Sequence, residues 1–584
     1  MTRPTHDARS HTAWTPPAGK PPLASRLMRA TWRGLPAARY AVGVERGLTV
    51  PAADGSPLVT DHYFPRAGGD FPTLLVRSPY GRGVPWSPQY GMLFAEQGFH
   101  VVLQSCRGTG GSGGDFHLWR NEAPDGRAAV AWLREQPWFD GRLGTVGPSY
   151  LGYTQEALAL EPPPELRAMV VQVGLYDPYA LFHTDGILNL ETALAVGAGM
   201  TYQHRGLGPF VRATLRLQRA MRGIAAARPL RGAYAGALGE VPWLEEVMAH
   251  PDGDDAYWAG ASVGAGAPGA PGAPGAPGAP GAPGAPEVSG APGPAAVPTA
   301  LITGWHDVLG RQSFEQYERL RRAGAEVSLL VGPWTHTSAL QAGWSEVFAE
   351  SLAWLRAHLC DDPSGLRPTP VRVHAGGEGG TVRDLEAWPP AARTASWYPT
   401  RDGHLTREAP TDAAPVASLR HDPADPTPSL GGPVLSRTAG ARDNRSLEAR
   451  EDVLTFTGPA LTDPLTVLGP VSARVSAATD TGYGDIFVRL CDVDPEGRST
   501  NVCDGVARLR TTGSDPARLT VPLGHTAHVF APGHRIRWQI APGAHPRYAP
   551  NPGTDMPRTE ATEFVPIRVT VHADSELNLP VAGE

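Results

Sequence analysis

Short apolar runs alternate with stretches of helical spacing along the first third of this 584-residue chain. Residues 47–50 and 58–63 read as a hairpin closed by Asp54-Gly55. Runs typical of buried strands follow at 74–77, 100–104, 143–146 and 168–173, with helical stretches at 92–97, 122–138 and 150–160 between them. Two more such runs stand at 300–304 and 327–331. Strands alternating with helices predict an α/β core on a largely parallel sheet. From 176 to 258 the spacing is helical, carried by Leu188, Leu190, Leu194, Val211, Leu215, Leu217, Met221 and Ile224. Helices inserted between late strands are expected to cap the sheet's functional edge. A further helix is expected at 351–359. Beyond about residue 370 the period drops to two, at 471–475, 486–490, 506–510, 535–538 and 567–571, which predicts an antiparallel β-sandwich.

These patterns divide the chain into a loose arm (1–40), the first part of the α/β core (41–174), a helical cap (175–260), a low-complexity linker (261–297), the second part of the core (298–362) and a C-terminal β domain (365–584). The linker holds seven Gly-Ala-Pro triplets over 266–286. Glycine at every third position resembles collagen, but so short a tract makes a weak triple helix. It is expected to be a solvated tether that leans towards polyproline II.

Chemistry concentrates at three strand ends. Gly147-Pro148-Ser149-Tyr150-Leu151-Gly152 sets one serine between small residues at a strand-to-helix junction, the arrangement of a nucleophile elbow. The spacing Gly-x-Ser-x-x-Gly is one residue longer than the common motif, and an ordinary glycine-flanked turn is the plain alternative. A serine hydroxyl needs a base, and the base needs an orienting carboxylate. Asp307, in Gly304-Trp305-His306-Asp307, and His336, in Gly332-Pro333-Trp334-Thr335-His336, follow in the order such folds use, each just past a predicted strand. A helix-capping aspartate and a loop histidine are the alternatives taken singly; the three together favour catalysis.

Ser149, Asp307 and His336 in these settings, with Arg77-Ser78-Pro79-Tyr80 after an early strand, resemble the CocE/NonD family of serine hydrolases from about residue 49 to the C-terminus. That family includes esterases, acylases and X-Pro dipeptidyl-peptidases. The resemblance implies an α/β-hydrolase core followed by a jelly-roll domain of galactose-binding type. It also implies that the Tyr80 hydroxyl and the Tyr150 backbone N–H receive the oxyanion, donors that stabilise charge appearing only in the tetrahedral state. The family usually has tyrosine where His306 stands. Position favours His336 as the base, because adjacent residues of an extended segment point to opposite sides. His306, Trp305 and Trp334 are kept as candidates for the pocket wall.

Composition narrows the reading. The chain is 41% hydrophobic and 19% charged, enough for large cores in two or three domains. A net charge of -7 speaks against nucleic acid as a partner. No apolar run approaches the roughly 20 residues that span a bilayer, and residues 1–40 lack the apolar stretch of a signal peptide, so a cytoplasmic location is expected. Cys106, Cys360, Cys491 and Cys503 are too few for a disulfide scaffold; Cys491 and Cys503 flank a turn and are expected to stay thiols. No metal-ligand spacing is present and no cofactor is expected. The glycines of 107–114 lack the ending of a phosphate loop and are read as a loop beside the site. Arg212, Arg216, Arg219 and Arg222, at helical spacing, are read as a solvated cap face.

The expected protein is a serine hydrolase cleaving esters or amides of small molecules, or short peptides, through an acyl-enzyme. An X-Pro dipeptidyl-peptidase is the alternative, although no anionic grip for a substrate amine can be assigned. A catalytically idle carbohydrate-binding protein is the alternative from another class, and a homodimer is left open. Val308-Leu309-Gly310-Arg311 after Asp307 lacks the extra acids of α-amino-acid ester hydrolases and disfavours that subgroup.

Overall fold

A computed structural model describes residues 23–263, 297–512 and 515–583. The Gly-Ala-Pro triplets and most of the expected arm lie outside these residues.

The described residues form a ten-stranded sheet from β1 (Val42–Pro51), β2 (Pro57–Pro65), β3 (Thr73–Ser78), β4 (His100–Ser105), β5 (Leu143–Ser149), β6 (Leu166–Gly174), β7 (Thr299–His306), β8 (Val327–Thr335), β9 (Val371–His374) and β10 (Val382–Leu385). Its order is β1-β2-β4-β3-β5-β6-β7-β8-β9-β10, parallel from β4 through β9 with antiparallel pairs at both edges. Every residue of β3 and β4 is buried, as expected of strands covered on both faces. On one face lie α1 (Leu23–Thr31) and the helix Trp344–Cys360, packing Met28, Trp344, Phe348 and Leu355 against Leu74, Val101 and Val170. On the other lie α2 (Glu122–Arg134), α3 (Tyr150–Ala159) and Gly310–Arg322, bringing Val130, Leu158 and Phe314 onto Leu75, Met169 and Leu329.

Two expectations need correction. The arm does not extend to residue 40: α1 is docked, with Met28 buried, Arg29 paired to Glu96 at 2.9 Å and the Trp32 indole N–H donating to the Gln341 carbonyl at 2.7 Å. Met28 on the helix and Trp32 just past its end are two isolated apolar residues, too few to stand out among the surrounding Pro, Arg and Ser. Residues 371–374 and 382–385 belong to the hydrolase sheet as β9 and β10, not to the β domain. Their alternating pattern identifies strands, but alternation cannot say which sheet a strand joins.

Between β6 and β7 the chain forms the helices Pro178–Phe182, Leu190–Tyr202, Leu207–Ala226, Ala235–Leu238 and Pro242–Ala249. They enclose their own core of Leu190, Leu194, Leu217, Ile224 and Leu244, which reaches Tyr150 and Tyr153 of α3. After β10 come two antiparallel sheets. One runs from Leu405–Thr406 through Ala392–Pro399, Glu576–Ala582, Leu465–Thr479 and Ile567–His572 to Pro415–His421, with Ala517–Phe530 also paired to Leu465–Thr479; the other contains Leu454–Thr457, Arg535–Ala541, Tyr483–Val493 and Ser499–Arg510. Val475, Leu490, Leu509, Trp538 and Val569 fill the space between them.

Candidate active site

Ser149 ends β5 and starts α3 with φ 58° and ψ −124°, a backbone conformation that a serine adopts only under constraint. The small neighbours make the turn fit. A Cβ at Gly147 would lie 2.5 Å from the Leu151 Cβ, and one at Gly152 would lie 3.1 Å from the Gly174 Cα. The turn is therefore close-packed around the glycines two before and three after the serine, most tightly at Gly147, whatever the departure from the common spacing. This geometry lifts the Ser149 side chain above the carboxyl ends of the parallel strands.

Asp307 follows β7 and His336 follows β8, at that same edge of the sheet. His336 Nδ1 and Asp307 Oδ1 are 2.7 Å apart, and Asp307 is buried. Its other oxygen accepts from Thr303 Oγ1 at 2.8 Å, while Oδ1 also accepts the Leu309 N–H at 3.0 Å. A carboxylate held this way fixes the imidazole ring and stabilises it when protonated. Thr335 and Ser338 form a reciprocal cap that starts the short helix His336–Ala339 and orients the histidine's backbone.

The Tyr80 hydroxyl lies 3.3 Å from Ser149 Oγ. Burial pushes this phenol up to about 12, against hydrogen bonds from Ser149 and the Tyr150 backbone N–H. It is therefore a protonated donor at neutral pH, and it stands beside the second expected donor. Trp86 stacks on the Tyr80 ring at 5.3 Å and fixes its plane. The Tyr150 side chain points away from the serine: its hydroxyl accepts the Trp119 N–H at 2.9 Å and donates to Glu122 Oε1 at 3.1 Å. Glu122 pairs in turn with Arg77 at 2.9 Å, and Asp125 with Arg107 at 2.7 Å. Burial raises the Glu122 carboxyl, with Arg77 opposing. Glu122 is a buried neighbour of the elbow that sequence reasoning missed, because at a helix start it reads as an ordinary favourable acid.

The remaining sequence candidates are placed elsewhere. His306 faces the C-terminal domain; burial pushes its imidazole down to about 4, with Asp504 pulling the other way and Arg489, His528 and Arg442 reinforcing the shift. Trp305 donates its indole N–H to the His374 carbonyl at 2.6 Å and packs on Phe314 and Trp388. Trp334 is buried against Gly304, Gly332 and Gly343. Both large rings pack over the sheet's end. In the glycine loop, the Gly110 N–H donates to His204 Nδ1 of the cap at 3.2 Å, and the Gly110 carbonyl accepts from Arg82 at 2.9 Å. That loop braces the Tyr80-Gly81 turn against the cap. Among the described residues no group of three or more His, Cys, Asp or Glu could hold a metal ion, and no helix is long and apolar enough to cross a membrane.

An α/β sheet with a serine on a strained elbow and a histidine–aspartate pair at the same edge defines a serine hydrolase of the α/β type. The chain belongs to the CocE/NonD family. Residues 54–338 match the family of X-Pro dipeptidyl-peptidases (S15 family), and residues 365–578 match the X-Pro dipeptidyl-peptidase C-terminal non-catalytic domain. Cocaine esterase of Rhodococcus sp. (strain MB1 Bresler) is 30% identical over 88% of this chain and 92% of its own length. Two solved structures share the fold at 21% identity. One is an aminopeptidase from a marine sediment archaeon, Thaumarchaeota archaeon, with TM-score 0.76 over 94% of this chain and 98% of that one. The other is an α-amino acid ester hydrolase, with TM-score 0.75 over 98% and 100%.

Proposed function

We propose that the chain is an esterase or acylase for small neutral or aromatic acyl groups, acting through an acyl-enzyme on Ser149. His336 takes the Ser149 proton during attack on the carbonyl carbon and returns it to the leaving alcohol or amine. Water then repeats the sequence, with His336 as base, and releases the acid. Asp307 holds the tautomer of His336 and stabilises the imidazolium. The Tyr80 hydroxyl and the Tyr150 N–H receive the oxyanion. The observation that carries this reading is the Tyr80 hydroxyl at 3.3 Å from Ser149 Oγ, where a phenol can donate to the charge that develops beside the nucleophile.

Esters are favoured over X-Pro peptides for a specific reason. A dipeptidyl-peptidase needs a carboxylate for the substrate amine, and the three carboxylates described at this site are engaged. Glu122 holds Arg77 and Tyr150, Asp125 holds Arg107, and Asp307 holds His336. The likeness to cocaine esterase points the same way.

The test is turnover by wild type and Ser149→Ala on short p-nitrophenyl esters, a benzoyl ester and an Ala-Pro aminocoumarin amide. Ester cleavage lost in the variant is the expected result. Serine-dependent preference for the Ala-Pro amide would replace the esterase reading with a dipeptidyl-peptidase, and ester turnover that survives Ser149→Ala would remove the acyl-enzyme altogether.

A further inference from the structure

Each proposed oxyanion donor sits on its own segment, and the two segments meet below the site at one buried carboxylate. Tyr80 closes the turn that begins at Arg77, and its backbone N–H donates to Ser78 Oγ at 3.1 Å. Arg77 is buried and ends in Glu122: Nη1 lies 2.9 Å from the carboxylate and 2.8 Å from the Glu122 backbone carbonyl, while Nε donates to Gln104 at 3.0 Å. The other oxygen of the same carboxylate accepts the Tyr150 hydroxyl at 3.1 Å. Tyr150 is itself buried, and its hydroxyl accepts the backbone N–H of Trp119, a residue held at φ 61°.

We propose that Arg77, Glu122 and the Tyr150 phenol are positioning residues that set the separation between the Tyr80 hydroxyl and the Tyr150 N–H. This inference rests on the function proposed above. A hole for an oxyanion works only if both donors are preorganised at hydrogen-bond distance from one point. Tyr80 leaves the end of β3 and the Tyr150 N–H starts α3, so backbone pairing alone does not fix their distance. The β3 to β5 ladder ends at Leu75 and Thr145, short of both donors. The direct side-chain links between the two segments are long ones, from Thr154 Oγ1 to the Arg77 carbonyl at 3.4 Å and, within the site itself, from the Tyr80 hydroxyl to Ser149 Oγ at 3.3 Å. The carboxylate supplies the rigid link. It forms an ion pair with Arg77, is buried from water, and is anchored at its own backbone carbonyl by the same guanidinium. Being buried, it acts through the two donors.

A relay of this kind differs from a merely stabilising network in one measurable way. Tyr150→Phe keeps the backbone donor and removes only the link. The substitution should lower kcat on the order of tenfold or more, with KM little changed, because a small displacement of one donor weakens the transition state. In a Tyr80→Phe background it should lower kcat far less, since the separation it sets has lost one of its ends. Glu122→Gln, which keeps the shape and loses the charge of the ion pair, should follow the same non-additive pattern and serves if Tyr150→Phe folds poorly by circular dichroism. Losses that multiply in the double variants, or an unchanged kcat for Tyr150→Phe, would overturn the relay. Labelling of Ser149 by a fluorophosphonate separates this from failure of the underlying reading. A wild type that neither labels at Ser149 nor depends on it sinks both, whereas normal labelling with additive losses sinks the relay alone.

Discussion

Gly304 lies against the backbone of Trp334 so closely that a Cβ at 304 would sit 2.3 Å from the Trp334 carbonyl oxygen. The two residues belong to the strand ends that deliver Asp307 and His336, and the register of β7 and β8 shifts between Gly332 and Thr335. That irregularity, together with the missing side chain, lets the two ends converge until the aspartate and histidine meet at 2.7 Å. Gly304→Ala has no flexible neighbour to displace, only backbone. It should push the ends apart, lower kcat by roughly 10² and lower the melting temperature. Steady-state kinetics with a thermal melt checks this; a variant with wild-type kcat would show that the pair tolerates the separation.

Tyr80→Phe isolates the phenolic donor. The ring still stacks on Trp86, so packing is retained, and the hydroxyl is lost from beside Ser149. On the proposed mechanism kcat should fall on the order of 10²–10³, with KM nearly constant, because the interaction strengthens only in the transition state. The comparison of kcat and KM on one ester decides it. A fall confined to KM would make Tyr80 a binding residue.

The candidate site was legible where chemistry coincides with a strand end. Ser149, Asp307 and His336 each stand in a short motif directly after an apolar run, and parallel strands bring such ends to one edge without further information. Glu122 was not legible, because its partners Arg77 and Tyr150 are distant in sequence and no local pattern marks a buried ion pair. The packing of Trp305 on Phe314 and Trp388, and of Trp334 on three glycines, was not legible either: an aromatic next to a catalytic motif has the composition of a pocket wall, and only three-dimensional packing shows what its ring meets. In the fold, hydrophobic period identified the strands at 471–475, 486–490, 506–510, 535–538 and 567–571, all of which lie within observed strands. It did not reveal that 371–374 and 382–385 extend the other sheet, since pairing partners are not written in alternation.

The thiols follow from strand register. Cys491 and Cys503 lie on the two strands of one hairpin, but a bulge between Leu490 and Cys491 sets Cys503 opposite Leu490 and Cys491 opposite Asn501. Both are free and buried, as is Cys106, while Cys360 is exposed. Titration with an aromatic disulfide reagent should therefore find one fast thiol in the native protein and all four after unfolding. A native protein with fewer than four thiols after unfolding without reductant would reveal a disulfide that the register does not allow for.

Histidines on the paired strands β2 and β4 should make stability depend on pH in one direction. His62 Nε2 lies 2.9 Å from His100 Nδ1, and both rings stack on Trp138. One proton between them forms a hydrogen bond, whereas two place like charges in contact inside a buried stack. Burial and then the charge of His62 push His100 down to about 4, and burial lowers His62 against the pull of Glu45. The unfolded chain, with ordinary histidines near 6.5, takes up protons first as pH falls. The stabilisation held by His100 is therefore complete above about pH 6.5 and is lost as pH falls from there towards 4, by about 1–2 kcal/mol between pH 7 and 5. Denaturant unfolding at pH 7 and pH 5 measures the difference. His100→Gln, which carries no titrating ring, should be less stable at pH 7 but should lose less than wild type on acidification, and an equal loss in both proteins would take the pair out of the pH response.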